Sequence, residues 1–325
     1  MADRLPEQRL PWPEGTLPLM LAPMQGLTNR ALRNLFACWV QPDTLFTEFM
    51  RVAPGNTNKR LSATDLREMV PAEDGIPLVV QLIGHGTEAL VSAARIAEAA
   101  GAAHINLNLG CPFGRMTTGL TGGGILQRPE LLQEMIPALR SVIKGSFSIK
   151  LRAGYDDPEQ IFSLLPLFDS AGVDFLVLHP RTVIQEYTGT ADHTVTSRVV
   201  RQTRVPVIAN GDIRTAQMGM RVIEQTGAAG LMLGRGAIAD PLLFQRLRKR
   251  DSAVPERVER AAMLRNYLTE LLNRYKNIFC GEQQVLGKVK TVLITMEDPD
   301  FVKQLKHLKK AKTIQQFSIL INSLD

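Results

Sequence analysis

Eight short apolar, strand-like runs recur along the first 235 residues, and they restrict the fold more than any other feature of the chain. They span 17–22, 44–49, 78–82, 104–107, 147–151, 175–178, 206–209 and 230–233. Most are continuous rather than alternating, as parallel strands are when both faces are covered. Helical patterns lie between most of them. Residues 28–36 carry an N-cap candidate and apolar residues at helical spacing, and 87–100 is Ala-rich and stops at Gly101. Segments 129–144 and 158–171 open on proline and end at Gly145 and Gly172, and 215–226 stops at Gly227. Proline suits a first helical position and glycine a C-terminal stop. A last segment, 241–250, follows the eighth run. The polar connection 54–77 reads as a partly ordered loop. Eight strand–helix units predict an α/β fold of the (β/α)8 TIM-barrel type. An open doubly wound sheet is the alternative.

Past residue 251 the pattern changes. Segments 255–276, 282–296, 301–312 and 313–323 read as helices, which predicts a small all-α bundle. The expected division is an N-terminal extension at 1–15, a barrel at 16–251 and a helical domain at 252–325. A chain of 325 residues, 45% of them hydrophobic, has room for both parts. The first fifteen residues carry Asp3, Arg4, Glu7 and Arg9 and lack the apolar core of a secretory signal. No apolar run reaches the ~18 residues of a membrane span. Cys38, Cys111 and Cys280 are widely spaced and odd in number, which suggests neither a disulfide framework nor a metal site. A cytoplasmic, monomeric protein without metal is expected.

Charge is unevenly placed. From Arg246 to Asp325 there are sixteen Lys and Arg against nine Asp and Glu, a net of +7. The other 245 residues hold twenty-two against twenty-three, a net of −1. A near-neutral body with a basic helical piece is the electrostatic footprint of a polyanion partner such as a nucleic acid.

In a TIM barrel the chemistry lies where strands end and βα loops begin. Strand one ends in Ala22-Pro23-Met24-Gln25-Gly26 and strand three in Gln81-Leu82-Ile83-Gly84. Strand four ends with Asn108 and Cys111, and strand five carries Lys150 and Arg152, two apart and so on one face. Strands six to eight end in His179-Pro180-Arg181-Thr182, Asn210-Gly211-Asp212 and Gly234-Arg235-Gly236-Ala237. A lone ammonium on a buried strand is costly, so Lys150 reads as functional. His179 fits a hydrogen-bonded core histidine as well as a site residue. Cys111, between Gly110 and Pro112, is either a structural thiol in a tight turn or a reactive one. The glycine run 119–124 beside it would let a large group, such as a flipped nucleotide, approach closely. Asn210-Gly211-Asp212 and Gly234-Arg235-Gly236 match the usual barrel phosphate site. With Lys150 as a cation near a flavin N1–O2 edge and Gln81 as an amide on the ring, they suggest FMN. No GxGxxG stretch follows strand one, which disfavours a dinucleotide fold.

These residues resemble the tRNA-dihydrouridine synthase family. The matching pieces run through the whole barrel in order: 21–26, Gln81-Leu82, 108–112, 150–154, 179–182, 210–213 and 234–237. Thr47-Glu48-Phe49 and Gly122-Gly123-Gly124 resemble the bacterial C-type branch, which modifies the D-loop. Two features depart from the family: Pro180 stands where a glycine is usual, which bears on Arg181, and residues 1–15 precede the usual start. The resemblance implies reduction of a tRNA uridine at C5–C6, with hydride from FMN to C6 and a proton from Cys111 to C5. An ordinary thiol, pKa about 8.5, holds its proton at neutral pH and can act as the acid. NADPH would reduce the flavin in a separate half-reaction. Ala22, Pro23, Met24, Gln81, Lys150, His179, Asn210, Gly211, Asp212, Gly234 and Arg235 would hold FMN. Asn108, Arg152, Arg181 and Tyr187, the last in the loop after strand six, would hold the substrate. The competing reading is an FMN barrel acting on a free pyrimidine or another small molecule, which leaves the basic helices without a role. An RNA-binding module without catalysis, and an aldolase-like barrel with Lys150 as a Schiff-base amine, are further alternatives.

Overall fold

The computed structural model describes residues 9–55, 59–71, 75–113 and 119–324. Its strands are β1 (Leu19–Leu21), β2 (Leu45–Phe46), β3 (Met50–Arg51), β4 (Leu78–Ile83), β5 (His104–Leu109), β6 (Ser146–Gly154), β7 (Phe175–Thr182), β8 (Val207–Asn210) and β9 (Gly230–Leu233). All pair in parallel, in the order β1-β9-β8-β7-β6-β5-β4-β2, with β3 also on β4. The expected second strand is thus split. β2 sits against Leu78-Val79 and β3 against Leu82-Ile83 of the same neighbour. A bridge between Met20 and Thr44, with the Leu21 N–H donating to the Thr44 carbonyl at 3.1 Å, closes the ring. This is the eight-position TIM barrel.

The helices are α1 (Arg30–Val40), α2 (Ala63–Glu68), α3 (Thr87–Ala99), α4 (Leu132–Val142), α5 (Gln160–Ser170), α6 (His193–Gln202), α7 (Ala216–Thr226), α8 (Arg235–Ala239) and α9 (Leu243–Lys249) around the barrel. They are followed by α10 (Arg257–Ile278), α11 (Glu282–Ile294), α12 (Val302–Lys310) and α13 (Ile314–Asn322). Two were not foreseen. α2 lies inside the expected loop 54–77, opened by a capping box in which Ser62 and Asp65 satisfy each other's backbone N–H groups. α6 is capped by Asp192 and buries Val195, Thr196 and Val199.

Two packing features position the mouth. At the floor, Trp12 packs edge-on against Phe175, ring centroids 4.9 Å apart, among Met20, Phe46, Val177 and Met232. Residues 9–15, expected as an extension, therefore close the barrel's N-terminal end; residues 1–8 lie outside the described part. At the side, Phe36 of α1 meets Tyr267 of α10 and Phe244 of α9, with centroids 6.4 and 6.1 Å apart. One hydrophobic cluster runs from Leu32 and Phe36 through Tyr267 and Leu271 to Phe317. Burying a ring such as Phe36 is worth about 2–3 kcal/mol, so the final helices are anchored to the barrel wall by core packing.

Candidate active site

The strand ends gather at one mouth, and the register of β4, β5 and β6 sets its deepest layer. Gln81 lies opposite Asn106, and Asn106 opposite Ser148. The Gln81 Nε2 donates to Asn106 Oδ1 at 2.8 Å, and Asn106 Nδ2 donates to Ser148 Oγ at 2.8 Å. The Asn108 Nδ2, one strand period higher, donates to Gln81 Oε1 at 2.8 Å. Asn108 Oδ1 then accepts the N–H groups of Gly110 and Cys111, both at 3.0 Å. A fully buried amide row thus ends in a clamp on the cysteine loop. Sequence reasoning placed Gln81 at a flavin edge and Asn108 at a uracil edge. In the structure most of their polar atoms bond within this row and to the cysteine loop. Asn106 and Ser148 were missed, although Asn106-x-Asn108 spacing already puts both amides on one strand face.

Cys111 is a half-buried free thiol. Its carbonyl accepts the Gly123 N–H at 3.0 Å. Residues 122–127 wind into a short 3-10 helix whose glycines are buried against the cysteine loop. A Cβ on Gly122, where φ is +56°, would come within 3.1 Å of the Cys111 Cβ. One on Gly123 would meet Val183 at 2.6 Å. What approaches this glycine run is therefore the cysteine loop itself, and the expectation of room for a nucleotide there is corrected.

Lys150 donates to Asn210 Oδ1 at 3.1 Å, a neutral acceptor, and Asn210 Nδ2 is tied to the Met232 carbonyl at 2.8 Å. Burial first, and then Arg152, push the Lys150 ammonium down to about 8, against a small opposing pull from Cys111. His179 is pushed down to about 2 by burial and by Lys150, Arg152, Arg181 and Arg235. Its Nε2 accepts from Arg181 Nη1 at 3.0 Å, which puts the proton of the neutral ring on Nδ1. Gly211, with φ +127°, lies so close to this imidazole that a Cβ would fall 2.8 Å from its Cδ2.

The two arginines expected at the substrate are buried struts. Arg152 donates to the carbonyls of Gly110 (2.9 Å), Thr182 (2.8 Å) and Glu186 (2.6 Å), and burial lowers its guanidinium below the usual value. Arg181 uses all five N–H groups, on Thr188 and Gly189 carbonyls, on His179 and bidentately on Asp212. Pro180 leaves this intact. The β7–β8 pairs end at Leu178, and the β6–β7 register shifts around Pro180, so the missing N–H falls where no ladder bond is needed. Burial would raise the Asp212 carboxyl, but bonds from Arg181 and the Ala191 N–H, and the Arg235 charge, hold it below the usual range.

The remaining expected residues line the gap between first and last strands. Ala22 N–H pairs with the Leu233 carbonyl at 2.8 Å, and the Met24–Gly26 turn after Pro23 is held by Thr28 and by Glu48, which accepts the Gly26 N–H at 2.8 Å. A Cβ on Gly234 would lie at ordinary contact from Met24 Sδ and Ala22 Cβ. Arg235 is half exposed over the Tyr187 ring at 4.7 Å. The mouth thus concentrates Lys150, Arg152, Arg181 and Arg235 around a neutral histidine, with Asp212 as the ion-paired carboxylate. Such a set is unbalanced, and a bound anion would balance it.

A parallel barrel with a cationic mouth and a thiol clamped at its rim is an enzyme-type site built from strand ends. The sequence model of the family described as Dihydrouridine synthase (Dus) matches residues 20–321. A Cupriavidus necator protein named tRNA-dihydrouridine(16) synthase is 31% identical over 278 residues, 84% of this chain and 85% of its own. A Vibrio parahaemolyticus protein named tRNA-dihydrouridine synthase B is 32% identical over 230 residues, 70% of each chain. Among solved structures, TcOYE with pHBA shares the fold at a TM-score of 0.55, with 14% identity, 78% of this chain and 94% of that chain covered. The chain belongs to the dihydrouridine synthase family. Membership makes it an enzyme, a tRNA-modifying oxidoreductase on a TIM barrel.

Proposed function

We propose that the chain reduces a uridine of tRNA to 5,6-dihydrouridine with FMN as bound cofactor and NADPH as reductant. The observation that carries this reading is the clamped Cys111 at a mouth where Lys150, Arg152, Arg181 and Arg235 outnumber Asp212, the carboxylate paired with Arg181 and Arg235. The donor set suits FMN. Asn210, Gly211, Gly234 and Arg235 would hold its phosphate end, Lys150 and His179 its polar edge, and Ala22, Pro23 and Met24 its apolar side. Bound there, the flavin would supply the hydride needed at uracil C6. Cys111 gives its proton to C5, and the two additions convert the C5–C6 double bond to a single bond. The thiolate regains a proton from solvent. Asn108 positions the thiol by accepting the N–H groups of Gly110 and of Cys111 itself.

We assign catalysis to 16–251 and the grip on tRNA to the basic helices of 252–325, in a cytoplasmic monomer. The target we assign is uridine 16 in the D-loop, the C-type specificity. Position 16 stands in the name of the Cupriavidus relative, and the relative named synthase B matches at similar identity, so mapping of the reduced uridine must test the assignment. Purified protein should be yellow, and with NADPH it should form dihydrouridine in tRNA lacking the modification. Turnover of free uracil without RNA would point to the small-molecule barrel instead.

A further inference from the structure

A column of side chains rises from the mouth and ends in an exposed ring. The guanidinium groups of Arg235 and Arg152 lie 4.7 and 5.3 Å from the centroid of the Tyr187 ring, which is 6.1 Å from the His179 ring. Phe113 comes next, its centroid 5.7 Å from that of Tyr187 with the planes tilted by 31°. Phe113 is 49% exposed and Tyr187 45%, and Ile184 on the same loop is also exposed. The loop that carries Tyr187 is held in place. Arg152 grips the Glu186 carbonyl, and Arg181 grips those of Thr188 and Gly189. Phe113 follows Cys111 by two residues, through the buried Pro112.

Two exposed aromatic rings beside guanidinium groups and a surplus of positive charge have the chemistry that receives unstacked nucleobases. The uracil must sit inside, over Lys150 and Cys111. When it leaves its stack it uncovers the face of its neighbour in the RNA chain. We propose that the outer face of Phe113 takes the nucleobase adjacent to the uridine being reduced, extending the Arg235–Tyr187–Phe113 column by one ring. The proposal rests on the RNA-directed reaction proposed above. Phe113 is then a positioning residue: it holds the RNA with one base extruded and touches no reacting atom.

The test uses the full FMN-loaded chain and tRNA carrying 2-aminopurine at either neighbour of the target uridine. Wild-type protein should quench the label at one of the two positions. Phe113→Leu should leave that label bright and raise KM for tRNA about tenfold, with a smaller change in kcat. Phe113→Trp should restore both. Equal quenching and equal KM in Phe113→Leu overturn the proposal, as does a dimer that Phe113→Leu abolishes while RNA binding is unchanged. If yellow wild-type protein forms no dihydrouridine in any tRNA, the broader reading fails and this one with it.

Discussion

The placement of Cys111 is carried by Asn108. Alanine at Cys111 should leave tRNA binding intact and lower dihydrouridine formation about 10²–10⁴-fold, the range of a lost general acid. Alanine at Asn108 should lower kcat about 10²-fold, the effect of a misplaced reacting group, measured at saturating tRNA. Lys150 supplies a pH test. Its ammonium titrates near 8 in the fold against an ordinary 10.5, so between these values the unfolded chain binds more protons and stability rises with pH. Below about 8 the folded protein carries the whole cost, on the order of 3 kcal/mol. Flavin-free protein should therefore melt higher at pH 10 than at pH 7, and Lys150→Met should abolish the difference. An unchanged difference would show that Lys150 is not the titrating group. His179 has the same sign at lower pH: its proton affinity is depressed in the fold, so stability is lost as pH falls below about 6.5. The identity of the mouth residues was legible in the sequence because strand ends of a barrel converge. Their partners were not. Nothing in Arg181's position along the chain says that Asp212 and two loop carbonyls take nearly every proton it has.

Most strands were legible because they are apolar runs buried on both faces. Helix α6 was not, since its apolar residues are few and no proline or glycine marks its ends. Ser62 and Asp65 did carry the capping-box signature of α2. The 3-10 turn at 122–127 shows why glycine content alone misleads. The same residues suit an open space or a tight contact, and only the facing backbone decides. Alanine at Gly123 must displace Val183 or the Cys111 carbonyl, so it should cost about 1–3 kcal/mol in a melt and lower turnover without altering flavin content. Wild-type turnover in that variant would mean the glycine run does not back the cysteine loop.

Across the whole molecule, one hydrophobic core joins barrel and final helices, so the basic helices are set at a fixed position relative to the mouth. Lys303, Lys306 and Lys310 are exposed along α12, opposite the buried Leu305 and Leu308. Replacing the three by alanine should weaken tRNA binding and make the log–log salt slope shallower by about 2–3, roughly one unit for each phosphate that a lysine no longer neutralises. An unchanged slope would place the RNA on another face. A thiol fixed by buried amides at a cationic barrel mouth would thus be presented to RNA held by the basic helices. The most direct measurement of this arrangement is mass mapping of tRNA after incubation with FMN-loaded protein and NADPH. Wild-type enzyme should add two hydrogen atoms to a single uridine, at position 16, and Cys111→Ala should bind the same tRNA and leave its mass unchanged. Reduction at full rate by Cys111→Ala, or no reduction of any tRNA uridine by the wild type, would contradict the account.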